Sequence, residues 1–137
     1  MRFTPENIND LELNEIFCFG ANRKFLHGAG AAKIALKFGA QHGKPGLVGQ
    51  TYGIPTKDEN IRVLPLSEIE KEIIAFLKVV KSNPKKKFLL TKVGTGLSGY
   101  SIPDIANLFA DKNLPENLIL PEEFSEQIEL YNLINNN

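Results

Sequence analysis

Apolar positions fall into short continuous runs and helically spaced runs along this chain, and the two kinds alternate. Glu15–Gly20 (EIFCFG) and Phe88–Val93 (FLLTKV) are short apolar runs that lead into glycine, which predicts buried strands. Leu47–Thr56 (LVGQTYGIPT) alternates enough, through Tyr52 and Ile54, to predict a strand entering a turn at Pro55, and Asn117–Leu120 (NLIL) predicts a last short one. Between them, Ala29–Phe38 is rich in helix formers and is followed by the stop signal Gly39. Ser67 and Glu70 have capping-box spacing, and Ile69, Ile73, Phe76, Leu77 and Val80 recur at helical intervals until Pro84. A short helix is predicted over Pro103–Asp111 with Ser101 as its cap, and an acidic helix over Glu122–Leu133. Strands alternating with helices predict an α/β fold: a three-layer α/β/α sandwich around a mixed, mostly parallel sheet, with residues 1–137 as one domain. Both glycine-rich loops then fall at the carboxyl ends of strands, the edge where such sheets bind ligands.

Composition narrows the class. With 137 residues, 42% of them hydrophobic and 23% charged, the chain has the make-up of an ordinary globular domain. The opening MRFTPENIND has no apolar signal-peptide core, and no apolar stretch approaches the ~20 residues that span a bilayer, so the expected location is the cytoplasm, away from membranes. One cysteine, Cys18, sits inside an apolar run and reads as a small core residue. Nothing in the chain calls for a metal or a cofactor. Low complexity is confined to Asn135–Asn137.

The net charge of zero conceals an uneven distribution. Residues 1–57 carry 7 basic and 4 acidic side chains, whereas residues 88–137 carry 2 and 7. Within Ile16–Lys57 there are six basic residues, no Asp or Glu, and eight of the eleven glycines; the other three are Gly94, Gly96 and Gly99. Glycine gathered in two loops, one of them basic, suits backbone that closely approaches an anion. The plainer alternative is tight turns with solvated lysines. In Gly20–Lys33 (GANRKFLHGAGAAK) a strand end passes through a glycine-rich loop into a helix, so Gly28, Ala29 and Gly30 are candidates to hold phosphate on N–H groups. The spacing fits neither a G-x-G-x-x-G fingerprint nor a Walker A loop, which weighs against ATP chemistry. Lys92–Ser101 (KVGTGLSGYS) is built in the same way.

These segments resemble macro domains. FGANRKFLHGAGAAKIA is similar to their first ligand loop, and VGTGLSGYSIPDIANLF to the second, phosphate-gripping loop. The likeness covers roughly residues 6–120 and is greatest with a compact macro-like group of bacteria and phages. It implies a macro-like fold that binds ADP-ribose or a related NAD-derived nucleotide. It places Asn22 beside the distal ribose, Gly28–Ala31 on the phosphates, and Gly94, Thr95, Gly96, Leu97, Ser98, Gly99 and Tyr100 around the diphosphate. Where macro domains often carry an adenine-binding Asp, this chain offers Glu6, Asn7 or Asp10.

TYGIPTK is similar to the catalytic strand end of terminal ADP-ribose protein glycohydrolase, which makes Lys57 the candidate nucleophile of an ADP-ribosyl hydrolase. The acid's place in the second loop is taken by Ser98, which leaves Asp58 or His27 to protonate a leaving group. Each residue also has a plain reading: Asn22 and His27 as loop-holding hydrogen bonders, Lys57 and Asp58 as an ordinary turn, Tyr100 as a loop shield, His42 as a surface residue. Two further functions remain open. One is sequestration of a nucleotide signal without cleavage, in a phage or bacterial defence setting. The other is RNA or DNA binding through Ile16–Lys57 and Lys85–Lys87. Possible partners include ADP-ribosylated protein or nucleic acid.

Overall fold

A computed structural model describes residues 2–135, so the last two positions of the Asn135–Asn137 run lie outside the described residues. Five strands form one sheet in the order β2-β3-β1-β4-β5. Strand β1 (Glu15–Asn22) is central and pairs in parallel with β3 (Thr51–Lys57) on one side and β4 (Lys87–Leu90) on the other. Strand β5 (Leu118–Ile119) adds in parallel to β4, and β2 (Leu47–Val48) is antiparallel to β3. The fold is therefore α/β with a mixed, mostly parallel sheet covered on both faces.

Alternation along β1 divides the core. Ile16 and Cys18 face one way, into a large cluster with Ile73, Phe76, Phe88 and Phe109 under helices α2 (Leu66–Ser82), α3 (Ile102–Ala110) and α4 (Glu122–Asn135). Phe17, Phe19 and Ala21 face the other way, into a smaller cluster covered by helix α1 (Gly30–Ala35) and the 3-10 turn Leu36–Phe38. Burial pushes the Cys18 thiol well above its usual pKa, leaving it a packed, unreactive group.

The helical periodicity of α2 is realised: Ile69, Ile73, Phe76, Leu77 and Val80 are all buried. Its start differs from the expected Ser67 cap. Pro65 is the N-cap, with no side-chain hydrogen bond, and its carbonyl accepts the N–H groups of Glu68 and Ile69 at 3.0 and 3.1 Å. Glu70 is drawn away to an ion pair with Lys112 of the α3–β5 connection at 2.7 Å. The capping box forms instead at α3, between Ser101 and Asp104.

The Leu47–Thr56 run is a hairpin rather than one strand, because the chain turns at Gly49 and Gln50. Gly49 has φ +58°, and a side chain there would meet the carbonyl oxygen of Phe38 and the Cα of Gly39 at 2.9 Å. Close backbone packing between this turn and the end of the 3-10 turn thus requires glycine. The β4 ladder stops at Leu90, short of Val93; Thr91 turns its hydroxyl back onto the carbonyl of Cys18 at 2.8 Å. No helix among the described residues is long and apolar enough to cross a membrane.

Candidate functional site

At the carboxyl edge of the three central parallel strands lies a cleft of about 480 Å³. Its floor comes from Gly20–Asn22 at the end of β1, its sides from Thr56 and Lys57 of β3 and from Thr91–Gly94 after β4. The two glycine-rich loops form opposing walls: Gly28–Ala32 on one side, Gly96, Leu97 and Ser98 on the other. They come close together, since a Cβ added at Gly30 would stand 3.4 Å from Leu97 Cδ1. Among the described residues the lining includes two lysines, Lys57 and Lys92, and no carboxylate.

The second loop is fastened at four points. Tyr100 N–H donates to the Gly94 carbonyl at 2.9 Å, closing the loop, and Tyr100 Oη donates to the Leu64 carbonyl at 2.7 Å. Thr95 Oγ1 donates to the Lys92 carbonyl at 2.8 Å, and the hydroxyls of Ser98 and Thr56 are hydrogen-bonded at 2.9 Å. Gly94 (φ +76°) makes the turn out of the strand directly against the buried side chain of Ile105.

The first loop is organised by Asn22. Its Oδ1 accepts from the N–H groups of Lys24 and Leu26 at 3.1 and 3.2 Å, and its Nδ2 donates to the Leu26 carbonyl at 2.9 Å. The amide staples the turn while lying at the cleft. Arg23 reaches Glu68 and Glu72 of α2, both at 3.4 Å. A second clamp comes from the stretch after the 3-10 turn: Gly43 N–H donates to the Phe25 carbonyl at 2.8 Å and His27 N–H to His42 Nδ1 at 3.1 Å.

Of the residues singled out in sequence, Asn22, Gly28, Ala29, Gly30, Ala31, Lys57, Gly94, Gly96, Leu97 and Ser98 all line this cleft. Thr95, Gly99 and Tyr100 shape the loop from behind, and Tyr100 packs on the large core rather than over the opening. His27 is only 4% exposed and does not line the cleft. Its Nδ1 lies 2.8 Å from the Ala32 carbonyl, so that nitrogen carries the proton, and Nε2 is buried with no hydrogen-bond partner among the described residues. Asp58 is also outside the lining. Its carboxylate accepts the N–H groups of Arg62 and Asn60, at 3.0 and 2.8 Å, which holds its pKa below the usual aspartate value. Asp58 therefore serves as the organiser of the 58–62 turn, ionised near neutrality.

Nine of the lining residues were not singled out in sequence, and three of them, Thr56, Ile61 and Lys92, bear on the chemistry. Thr56, buried beside Lys57, points at the second loop. Ile61 stands at the mouth with φ +62°, a left-handed conformation that branched side chains rarely adopt. Lys92 is paired with Glu6 at 2.8 Å and with Glu123, and these carboxylates, Glu123 first, raise its pKa. Strand-end position was the signal available for Thr56 and Lys92. The basic excess of Ile16–Lys57 does not converge on the site: Arg23 is paired, Lys24, Lys33, Lys37 and Lys44 are exposed, and of the six only Lys57 reaches the cleft.

Beyond Lys92 a second cavity, of about 400 Å³, continues under the N-terminal segment. It shares Ala31, Thr91 and Lys92 with the cleft and is walled by Phe17, Ile8 and Ile34. Comparison of the chain with protein-family models, with curated proteins and with solved structures finds no match to any of them.

Proposed function

We propose that this protein binds ADP-ribose or a related NAD-derived nucleotide, with the diphosphate between the two glycine-rich loops. The observation that carries this reading is the cleft, where loops more than sixty residues apart in sequence face each other over a lining with two lysines and no carboxylate. Backbone N–H groups in the first turn of a helix have no intrahelical partner, and small residues at positions 28–32 let an anion approach them. A cleft of this volume is in the range of small-molecule sites, about 300–1,000 Å³.

Binding without turnover is favoured over ADP-ribosyl hydrolysis. Attack by Lys57 on an anomeric carbon needs a group to protonate the leaving oxygen. Asp58 is committed to its turn, His27 is buried outside the cleft, and Ser98 is hydrogen-bonded to Thr56. Sequestration of a nucleotide therefore fits better than its cleavage. The dispersal of the basic side chains over the surface gives little support to a polynucleotide groove.

Calorimetric titration with ADP-ribose tests the reading. Saturable one-to-one binding is expected, with intact nucleotide recovered after heating the complex; no heat at millimolar ligand would overturn the proposal. Lys57→Ala is expected to weaken binding about tenfold, the worth of roughly one charge-assisted hydrogen bond, with Lys57→Arg retaining most of the affinity. If release of ADP-ribose from a modified target were detected and Lys57→Ala abolished it at unchanged affinity, the hydrolase reading would replace this one.

A further inference from the structure

We propose that Ile61, with Leu26 and Leu97, forms an apolar collar that selects nucleotides carrying a neutral planar ring at the β3 end of the cleft. The inference rests on the nucleotide-binding reading and specifies the ligand further. The three side chains come from three separate segments, line the same cleft, and are 51%, 46% and 70% exposed. Other large apolar side chains are exposed elsewhere on the protein, but these three share one cleft, and apolar surface gathered at a cleft marks ligand contact where scattered side chains do not.

Ile61 adds an independent observation. Its left-handed backbone is costly for a β-branched residue, yet the turn that imposes it is held by several hydrogen bonds. Asp58 N–H donates to the Arg62 carbonyl at 2.8 Å, Ile61 N–H to the Asp58 carbonyl at 3.2 Å, and the Asp58 carboxylate accepts two more. An Asn or Gly would adopt this conformation with less strain. The turn thus presents an isoleucine outward at the mouth at the expense of local stability.

Topology sets which part of a ligand would meet it. The central strand β1 separates β3, which leads to Lys57 and Ile61, from β4, which leads to Lys92 and the second cavity. A diphosphate between the glycine loops sends one end of a dinucleotide toward Lys92 and the other to the collar. Among the described residues Lys57 is the only charged side chain lining that end, so a neutral ring is accepted and a cationic one is repelled.

Titrations with ADP-ribose, NADH and NAD⁺ provide the test, because the three differ at the outer sugar: a hydroxyl, a neutral dihydropyridine and a cationic pyridinium. NADH is expected to bind about tenfold tighter than ADP-ribose, or about 1.4 kcal/mol, and NAD⁺ no tighter than ADP-ribose. Ile61→Asn is expected to reduce the NADH preference over ADP-ribose to about twofold or less, chiefly through lost NADH affinity, with thermal stability equal or higher. A purely structural Ile61 would change stability and leave the ratio intact. Equal affinity of the wild-type protein for NADH and ADP-ribose, or a ratio untouched by Ile61→Asn, overturns the collar, and NAD⁺ binding as tightly as NADH overturns its selection by charge. Absence of binding by all three overturns the nucleotide reading itself, and the collar with it.

Discussion

Replacing Ala29 by Asp is expected to cut ADP-ribose affinity about 100-fold without destabilising the fold. Ala29 is exposed, has extended backbone (φ −157°, ψ 164°) and precedes α1 as an N-cap with no side-chain hydrogen bond. Aspartate is among the best residues for that position, so a cap bond formed by it adds about 1 kcal/mol. The same carboxylate would enter a lining that has none. Two like charges about 4 Å apart near a protein surface repel by about 4 kcal/mol. Allowing for roughly a third lost to solvent and salt leaves about 2.7 kcal/mol, or about 100-fold. Ala29→Asn supplies the cap without the charge and is expected to bind within about threefold of wild type. Calorimetry paired with thermal unfolding reads both effects. If Ala29→Asp binds as well as Ala29→Asn, no phosphate lies against the first loop.

Gly94→Ala is the second large effect, this time on stability. An added Cβ would lie 2.7 Å from Ile105 Cδ1 and 3.1 Å from its Cγ1, and the backbone φ is +76°. The left-handed conformation costs an alanine about 1–2 kcal/mol, and overpacking a buried side chain typically costs about 1–3 kcal/mol. Ile105 is fully buried and cannot swing into solvent. The combined cost of about 2–5 kcal/mol corresponds to a Tm lower by roughly 10 °C or more for a chain of this size. Because Gly94 begins the second loop, nucleotide affinity is expected to fall with it. Ile105→Val removes the Cδ1 atom, so the double variant should recover part of the loss, and a double-mutant cycle isolates the packing part from the backbone part. A Tm within 1 °C of wild type would show that Gly94 is not under this constraint.

Both variants act on loops that were visible in the sequence, but visibility was uneven in kind. Helix α2 was legible because its five buried side chains repeat at helical spacing on a single segment. Strands β1 and β4 were legible for a similar reason, as short apolar runs on single segments that lead toward glycine. The β2–β3 hairpin was not, since what breaks Leu47–Thr56 is a close approach of Gly49 to the distant Gly39. Helix α2 also starts on Pro65 rather than Ser67, with Glu70 paired to Lys112 instead of closing a local cap.

The site divides along the same line. The sequence alone determined the two glycine-rich loops, their places at strand ends and hence their shared edge of a parallel sheet, because local composition and strand alternation depend on neighbours along the chain. Only the tertiary structure decided the use of each polar group. It gave Asn22 and Asp58 to their own turns and buried His27 with an unpartnered Nε2. It paired Arg23 and Lys92 with carboxylates and left Lys57 at the cleft among exposed apolar side chains. The physical reason is that hydrogen bonds and ion pairs are short-range and directional. Whether a side chain is spent on structure or left for a ligand depends on which distant segments the fold brings within about 3 Å of it.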